Sequence, residues 1–151
     1  MPTLKYVNPL VLVADASRAQ FFTLNTESEK LVECATLINN VGRASEQDFV
    51  ADRQGRSYDS QGGGRHAMEA KTSAKDHAMQ GFATQVAQEV PRQLAAGDLR
   101  NLILIAAPRF LGVLRKALNE DAKAALYCEI DGEYTTHTPH QIAEVINKKL
   151  A

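Results

Sequence analysis

The run Asn101-Leu102-Ile103-Leu104-Ile105-Ala106-Ala107 most tightly limits what this chain can fold into. Beyond its first residue it offers no polar position to either face, so as a strand it needs helices on both sides of its sheet. Pro108 follows at once, where a first-turn proline suits the start of a helix. Leu111, Leu114 and Leu118 continue as an apolar stripe, with Arg115 and Lys116 at the C-terminal end, where cations suit the helix dipole. A buried strand running directly into an amphipathic helix is the mark of an α/β domain.

Before this strand, Leu10-Val11-Leu12-Val13-Ala14 reads as a central strand that ends at Asp15 and a turn through Ala16-Ser17-Arg18. Gln20 to Leu24 follows too closely for a crossover helix and should pair antiparallel with it. Leu31 to Ile38 gives a third strand, in which the period of two places Val32, Cys34 and Ile38 on one face. Cys34 and Cys128 are the only cysteines, and each lies in an apolar run that suits a buried, reduced thiol.

From Asn39 to Lys75 the periodicity disappears, which predicts a long Gly-rich loop over residues 39–75. Ser73-x-x-Asp76 resembles a capping box, so the expected helix begins there. Met79, Phe82, Val86, Val90 and Leu94 recur at helical spacing and mark its buried stripe. Pro91 interrupts the hydrogen-bond ladder and Gly97 stops the helix. After the 108–118 helix, Ala124 to Ile130 alternates as a fifth strand, with Leu126, Cys128 and Ile130 on one side, and Asp131-Gly132 turns the chain. Thr138-Pro139-His140-Gln141 reads as a cap, a first-turn proline and a reciprocal glutamine ahead of a final helix.

The expected fold is α/β (α+β): one domain over residues 1–151, in βββαβαβα order, with a mixed five-stranded sheet flanked by helices. At 151 residues and 44% hydrophobic the chain supports one core. With 17 basic against 18 acidic residues there is no global field toward nucleic acid or membrane, so any RNA contact must be local. The apolar runs fall far short of the ~20 residues needed to span a bilayer, and the first residues do not read as a basic region followed by an apolar core and a cleavage site, so no export is expected. The expected location is cytoplasmic, without membrane insertion. Composition sets no oligomeric state.

Function is sought in the loop, at Gly55-Arg56-Ser57-Tyr58-Asp59-Ser60-Gln61-Gly62-Gly63-Gly64-Arg65-His66. Gly62, Gly63 and Gly64 permit close backbone approach and expose N–H groups to phosphate or carboxylate oxygens. Arg56, Asp59, Gln61, Arg65 and His66 supply polar heads of both signs. The spacing matches neither nucleotide-binding glycine motif, so no cofactor is expected. His66 and His77 have no metal-ligand spacing, and His137 and His140 lie on another element. Asp15 stands where a carboxylate-metal nuclease places a ligand. The strand at 101–107, however, ends in Ala106-Ala107-Pro108 without an acid, and Asp15 reads as a turn former. Ser57 and Ser60 make no triad with His66 on sequence proximity alone.

Val11 to Ala19, Gly55 to Ser60 and Gly62 to Glu69 together resemble the bacterial family named for attachment to host cells. That family is similar in layout to the middle domain of the eukaryotic and archaeal class I peptide release factor, a ribonuclease H-like arrangement. In the release factor a Gly-Gly-Gln loop before a long helix helps water cleave peptidyl-tRNA. Here Arg65 follows the glycines, and Gln61 precedes them, so peptide release is not carried over. The resemblance implies a non-enzymatic binding protein that meets RNA, in the ribosome or tRNA, through Arg56, Asp59, Gln61, Gly62, Gly63, Gly64, Arg65 and His66. Two alternatives are a role in host attachment, direct or regulatory, and hydrolysis of a peptidyl-tRNA-like ester with Gln61 or His66 positioning water.

Overall fold

The computed structural model describes residues 8–40 and 64–150, with side chains from Ser73 onward in the second of these segments. Its elements are β1 (Leu10–Ala14), β2 (Arg18–Asn25), β3 (Lys30–Ile38), α1 (Gly64–Ala96), β4 (Leu102–Ala106), α2 (Pro108–Ala117), α3 (Glu120–Ala125), β5 (Leu126–Asp131) and α4 (Pro139–Leu150). The five strands form one mixed sheet in the order β3-β2-β1-β4-β5. The pairs β1–β2 and β2–β3 are antiparallel, while β1–β4 and β4–β5 are parallel.

Every residue of β1 and β4 is buried. Alternate residues serve two cores, because successive side chains leave a strand on opposite faces. Leu10, Leu12, Leu102 and Leu104 pack with Phe82, Val86 and Val90 of α1, Phe110 and Leu114 of α2, and Ala122 of α3. Val11, Val13, Ile103 and Ile105 pack with Ile142 and Ile146 of α4. The demand for cover on both faces is thus met by three helices on one side and one on the other. Phe82 and Phe110 lie with ring centroids 6.0 Å apart and join α1 to α2.

Two β-bulges interrupt the expected alternation. Phe21 pairs with Ala35 and Phe22 with Glu33, so Cys34 is the extra residue on β3. Leu31 therefore faces the α4 side, whereas Ala35 and Leu37 face the α1 side. Val32 and Ile38 consequently do not share a face, and both are exposed, at 62% and 40%. Cys34 is exposed as well, not buried as its apolar neighbours suggest, because β3 is an edge strand and the bulge turns the residue out of register. The second bulge lies where Leu102 pairs with Leu126 and Ile103 with Cys128. It sends Leu126 to one core and Cys128 and Ile130 to the other, instead of one shared side. Cys128 is half-buried, and desolvation pushes its thiol pKa up. A pulse of thiol reagent on the native protein is expected to label Cys34 first. Peptide mass mapping that finds Cys128 labelled first would contradict this placement.

The helix boundaries differ from expectation in two places. The short α3 was not foreseen: its Glu120–Ala125 sequence has no apolar stripe, and Asn119 caps it by accepting from the Ala122 N–H at 2.7 Å. The main difference is α1, which begins at Gly64 and not at Ser73, so Ser73 and Asp76 lie inside it. At its other end α1 closes in a Schellman motif, with Leu99 N–H donating to the Leu94 carbonyl at 2.8 Å and Asp98 N–H to Ala95 at 3.2 Å. The left-handed residue is Asp98 (φ 50°), one past the glycine that marks the stop. Since a non-glycine residue is strained there, Asp98→Gly is expected to raise stability by about 0.5–1 kcal/mol in urea unfolding. A loss of stability would show that the Asp98 side chain matters more than its backbone. The capping box of α4 is as expected: Thr138 N–H donates to Gln141 Oε1 at 2.9 Å, and Gln141 N–H to Thr138 Oγ1 at 3.2 Å.

Candidate functional site

The C-terminal edge of β1, β4 and β5 is where open α/β sheets place ligands, at the point where connections diverge to either side. Asp15 closes the β1–β2 hairpin there. Its Oδ1 accepts from the N–H groups of Ser17 (2.7 Å) and Arg18 (2.9 Å), an Asx turn. Its Oδ2 accepts from Thr135 Oγ1 at 2.6 Å, which ties the loop after β5 to the hairpin. Asn39, at the end of β3, donates its side-chain N–H to the Ala16 carbonyl at 2.9 Å and its backbone N–H to Ser17 at 2.8 Å. Asn39 and Thr135 are both buried polar residues, so these bonds hold the edge in one arrangement. Neither was singled out in the sequence, since nothing in their neighbours marks them.

Gly132 completes the edge by donating its N–H to the Ala106 carbonyl at 2.9 Å. Its φ of 151° and the ring of Tyr134, 2.5 Å from where a Cβ would stand, both require glycine at this position. Asp15 is thus a turn-forming and tethering residue whose carboxylate is engaged on both oxygens. Among the described residues no three His, Cys, Asp or Glu side chains come together.

From this edge α1 projects. Its 33 residues extend about 50 Å, whereas the five residues of β4 cover about 17 Å. The C-terminal end of α1 leads directly into β4, so the surplus lies beyond the strands' C-terminal ends. Asp76 marks the level of the edge, because it is ion-paired with Arg109 at the start of α2, immediately after β4. Among the described side chains of α1, Met79 is the first packed against the core. Residues 64–75, about 18 Å of helix, therefore precede the Asp76–Arg109 pair.

Of the sequence-derived site residues, Gly64, Arg65 and His66 form the first turn of this projecting helix, not part of a loop. Arg56, Asp59, Gln61, Gly62 and Gly63 lie outside the described residues, as does most of the 39–75 loop. The start at Gly64 has a physical reason. Residues 65–71 include Arg, Ala, Met, Glu and Lys, all strong helix formers, in an order without an apolar stripe.

A groove of about 360 Å³ opens at the base of the projection, between Asn39 and the outer face of α1. His77, Gln80, Gly81, Thr84 and Gln85 line it, together with the edges of Ala78 and Phe82. Elsewhere on the surface Arg115 grips Glu129 through two hydrogen bonds of 2.6 and 2.8 Å, and His140 Nε2 lies 2.8 Å from Glu144. No described helix is long and apolar enough to cross a membrane.

Among solved structures the chain is similar to the activator of the 2-hydroxyisocaproyl-CoA dehydratase from Clostridium difficile with bound ADPNP. The likeness has a TM-score of 0.44 and 11% identity, and covers 98% of this chain and 66% of that one. No curated protein sequence matches. The sequence profile described as "Protein required for attachment to host cells" matches residues 10–146, which takes in every strand and every described helix except the last residues of α4. With the match spanning nearly the whole domain, the chain belongs to this host-attachment family.

Proposed function

We propose that the chain is a non-enzymatic, cytoplasmic binding protein that contacts RNA, in the ribosome or in tRNA, through residues 55–66 at the head of α1. One observation supports this above the others: α1 overruns the sheet by about 18 Å and carries Gly64, Arg65 and His66 away from the core. We read this extra length as reach. Arginines 56 and 65 are suited to phosphate oxygens, and the glycines between them allow a backbone to approach closely. The strand order and the meander before α1 accord with a ribonuclease H-like domain of the release-factor middle-domain type. Arg65, where that domain has its glutamine, favours recognition over ester hydrolysis.

The test is recovery of RNA or ribosomes from cell extract with tagged protein. Wild type is expected to enrich RNA, and the Arg56→Ala/Arg65→Ala double variant to lose about tenfold of that enrichment, as removal of two phosphate contacts implies. Equal recovery by the two proteins would contradict the proposal.

The family description favours a second reading, promotion of attachment to host cells, either at the surface or by regulation. Fractionation separates these: protein confined to the cytosol removes direct adhesion and leaves an indirect role.

A further inference from the structure

We propose that the groove beside Gly81 is a nucleobase subsite. This deepens the RNA reading above by naming a second contact, for bases, at the foot of the projecting helix.

The lining residues His77, Gln80, Gly81, Thr84 and Gln85 follow the spacing i, i+3, i+4, i+7, i+8, which places them on one face of α1. All five are exposed. The stripe carries amides, an imidazole, a hydroxyl and a glycine, but no carboxylate, lysine or arginine. A solvated helix face ordinarily carries charge, as the same helix does at Asp76, Glu89 and Arg92. The opposite wall is Asn39, whose side chain is held by the Ala16 carbonyl at 2.9 Å. The volume, about 360 Å³, falls in the usual range of small-ligand sites, about 300–1,000 Å³.

Gly81 is the most informative of these residues. Glycine inside a helix destabilises it by about 0.5–1 kcal/mol relative to alanine. Such a glycine is commonly explained by a neighbouring element that needs the space of the missing Cβ. Here a Cβ would meet nothing within 4 Å among the described residues. Packing within the described chain gives no reason for the glycine, whereas a flat group lying on the helix backbone from outside does.

The groove chemistry selects that group. Gln80 and Gln85 each offer an amide donor and an amide acceptor, the pair that reads a base edge. Thr84 is left as an acceptor only, since its Oγ1 already donates to the Gln80 carbonyl at 3.0 Å. His77 provides a ring on which a base can stack. The described lining holds no lysine or arginine to meet a phosphate, a contact that the RNA reading above gives to Arg56 and Arg65. Along α1 the rise from Gly81 to Arg65 is about 24 Å, and at 3.6 residues per turn the two positions stand about 160° apart around the axis, so a strand that meets both has to cross the helix.

The experiment follows backbone amide signals of the full chain by NMR during titration with adenosine and with uridine. It is paired with binding of a single-stranded RNA oligonucleotide and of an abasic oligonucleotide of equal length. Shifts are expected at Gln80, Gly81 and Gln85 with about 10 mM nucleoside, the millimolar range of a single small contact. The base-bearing oligonucleotide is expected to bind about tenfold tighter than the abasic one. Gly81→Ala separates folding from binding, because it should raise Tm by about 2–4 °C while weakening nucleoside binding at least about fivefold.

No nucleoside shifts, or shifts of equal size in Gly81→Ala, would overturn the subsite. If the oligonucleotides then bind equally well, the RNA reading survives and only the groove falls. If nucleosides shift the groove signals but neither oligonucleotide binds, the subsite stands for free nucleosides and the RNA reading falls.

Discussion

Phe82→Ala is expected to lower the free energy of unfolding by about 3–5 kcal/mol, the range for removing a large aromatic from a packed core. Phe82 is 2% exposed and sits where α1, β1, β4 and α2 converge, with the Phe110 ring 6.0 Å away. Truncation removes the transfer free energy of the ring and leaves a cavity between helices that sheet pairing holds apart. Phe82→Leu, which refills most of that volume, should cost about 1–2 kcal/mol. Urea unfolding of both variants is the check. A loss below about 1 kcal/mol for Phe82→Ala would mean that α1 is not anchored through this residue. The projecting helix would then lack the fixed base that its reach requires.

Asp15→Ala should cost about 2–3 kcal/mol, for reasons of hydrogen bonding alone. It leaves the Ser17 and Arg18 N–H groups of the hairpin without their acceptor, and it orphans the buried Thr135 hydroxyl. The two backbone groups lie near the surface and recover part of the loss from water, whereas Thr135 does not. Asp15→Asn keeps an oxygen for the turn, and the Thr135 hydroxyl can rotate to accept from the amide, so that variant should lose less than about 1 kcal/mol. The pair of variants distinguishes roles that the sequence leaves open. A tethering residue shows a large alanine effect and a small asparagine effect on stability. If both variants are as stable as wild type, Asp15 does not hold this edge together.

How far the structure is legible in the sequence depends on whether a residue's environment repeats. β1 and β4 are plain because burial on both faces demands an unbroken apolar run. The packed half of α1 shows in Met79, Phe82, Val86, Val90 and Leu94, and α4 in the reciprocal Thr138 and Gln141, because each pattern is imposed by a contact the helix makes. The first turns of α1 carry no apolar stripe in their sequence, so a stripe search misses them and only helix propensity indicates them. The bulges at Cys34 and at Tyr127 are equally silent. A single inserted residue reverses the facing of everything after it without altering composition, which is why Cys34 reads as buried and is exposed.

The same distinction applies to the site. Asp15 is legible as a turn former because it ends a strand before small and polar residues, and the Asx turn is as expected. Its partners Thr135 and Asn39 lie far away in sequence and are found only through the fold. Of the Gly-rich segment, Gly64, Arg65 and His66 belong to a helix, and the role proposed for them rests on where that helix points. Gly81 carries a faint sequence signal, a glycine inside a strongly helical run, which becomes informative once no described residue is found within 4 Å of where its Cβ would stand.

RNA contact through the head of α1 is tested most directly by the salt dependence of binding to a single-stranded RNA oligonucleotide, measured for wild type and for the Arg56→Ala/Arg65→Ala variant. Each phosphate contact on a single strand contributes about 0.7 to the slope of log affinity against log salt, so losing both arginines should flatten the slope by about 1.4. Affinity at low salt should fall at least about tenfold at the same time. Identical affinities and slopes for the two proteins would contradict RNA recognition by this tip.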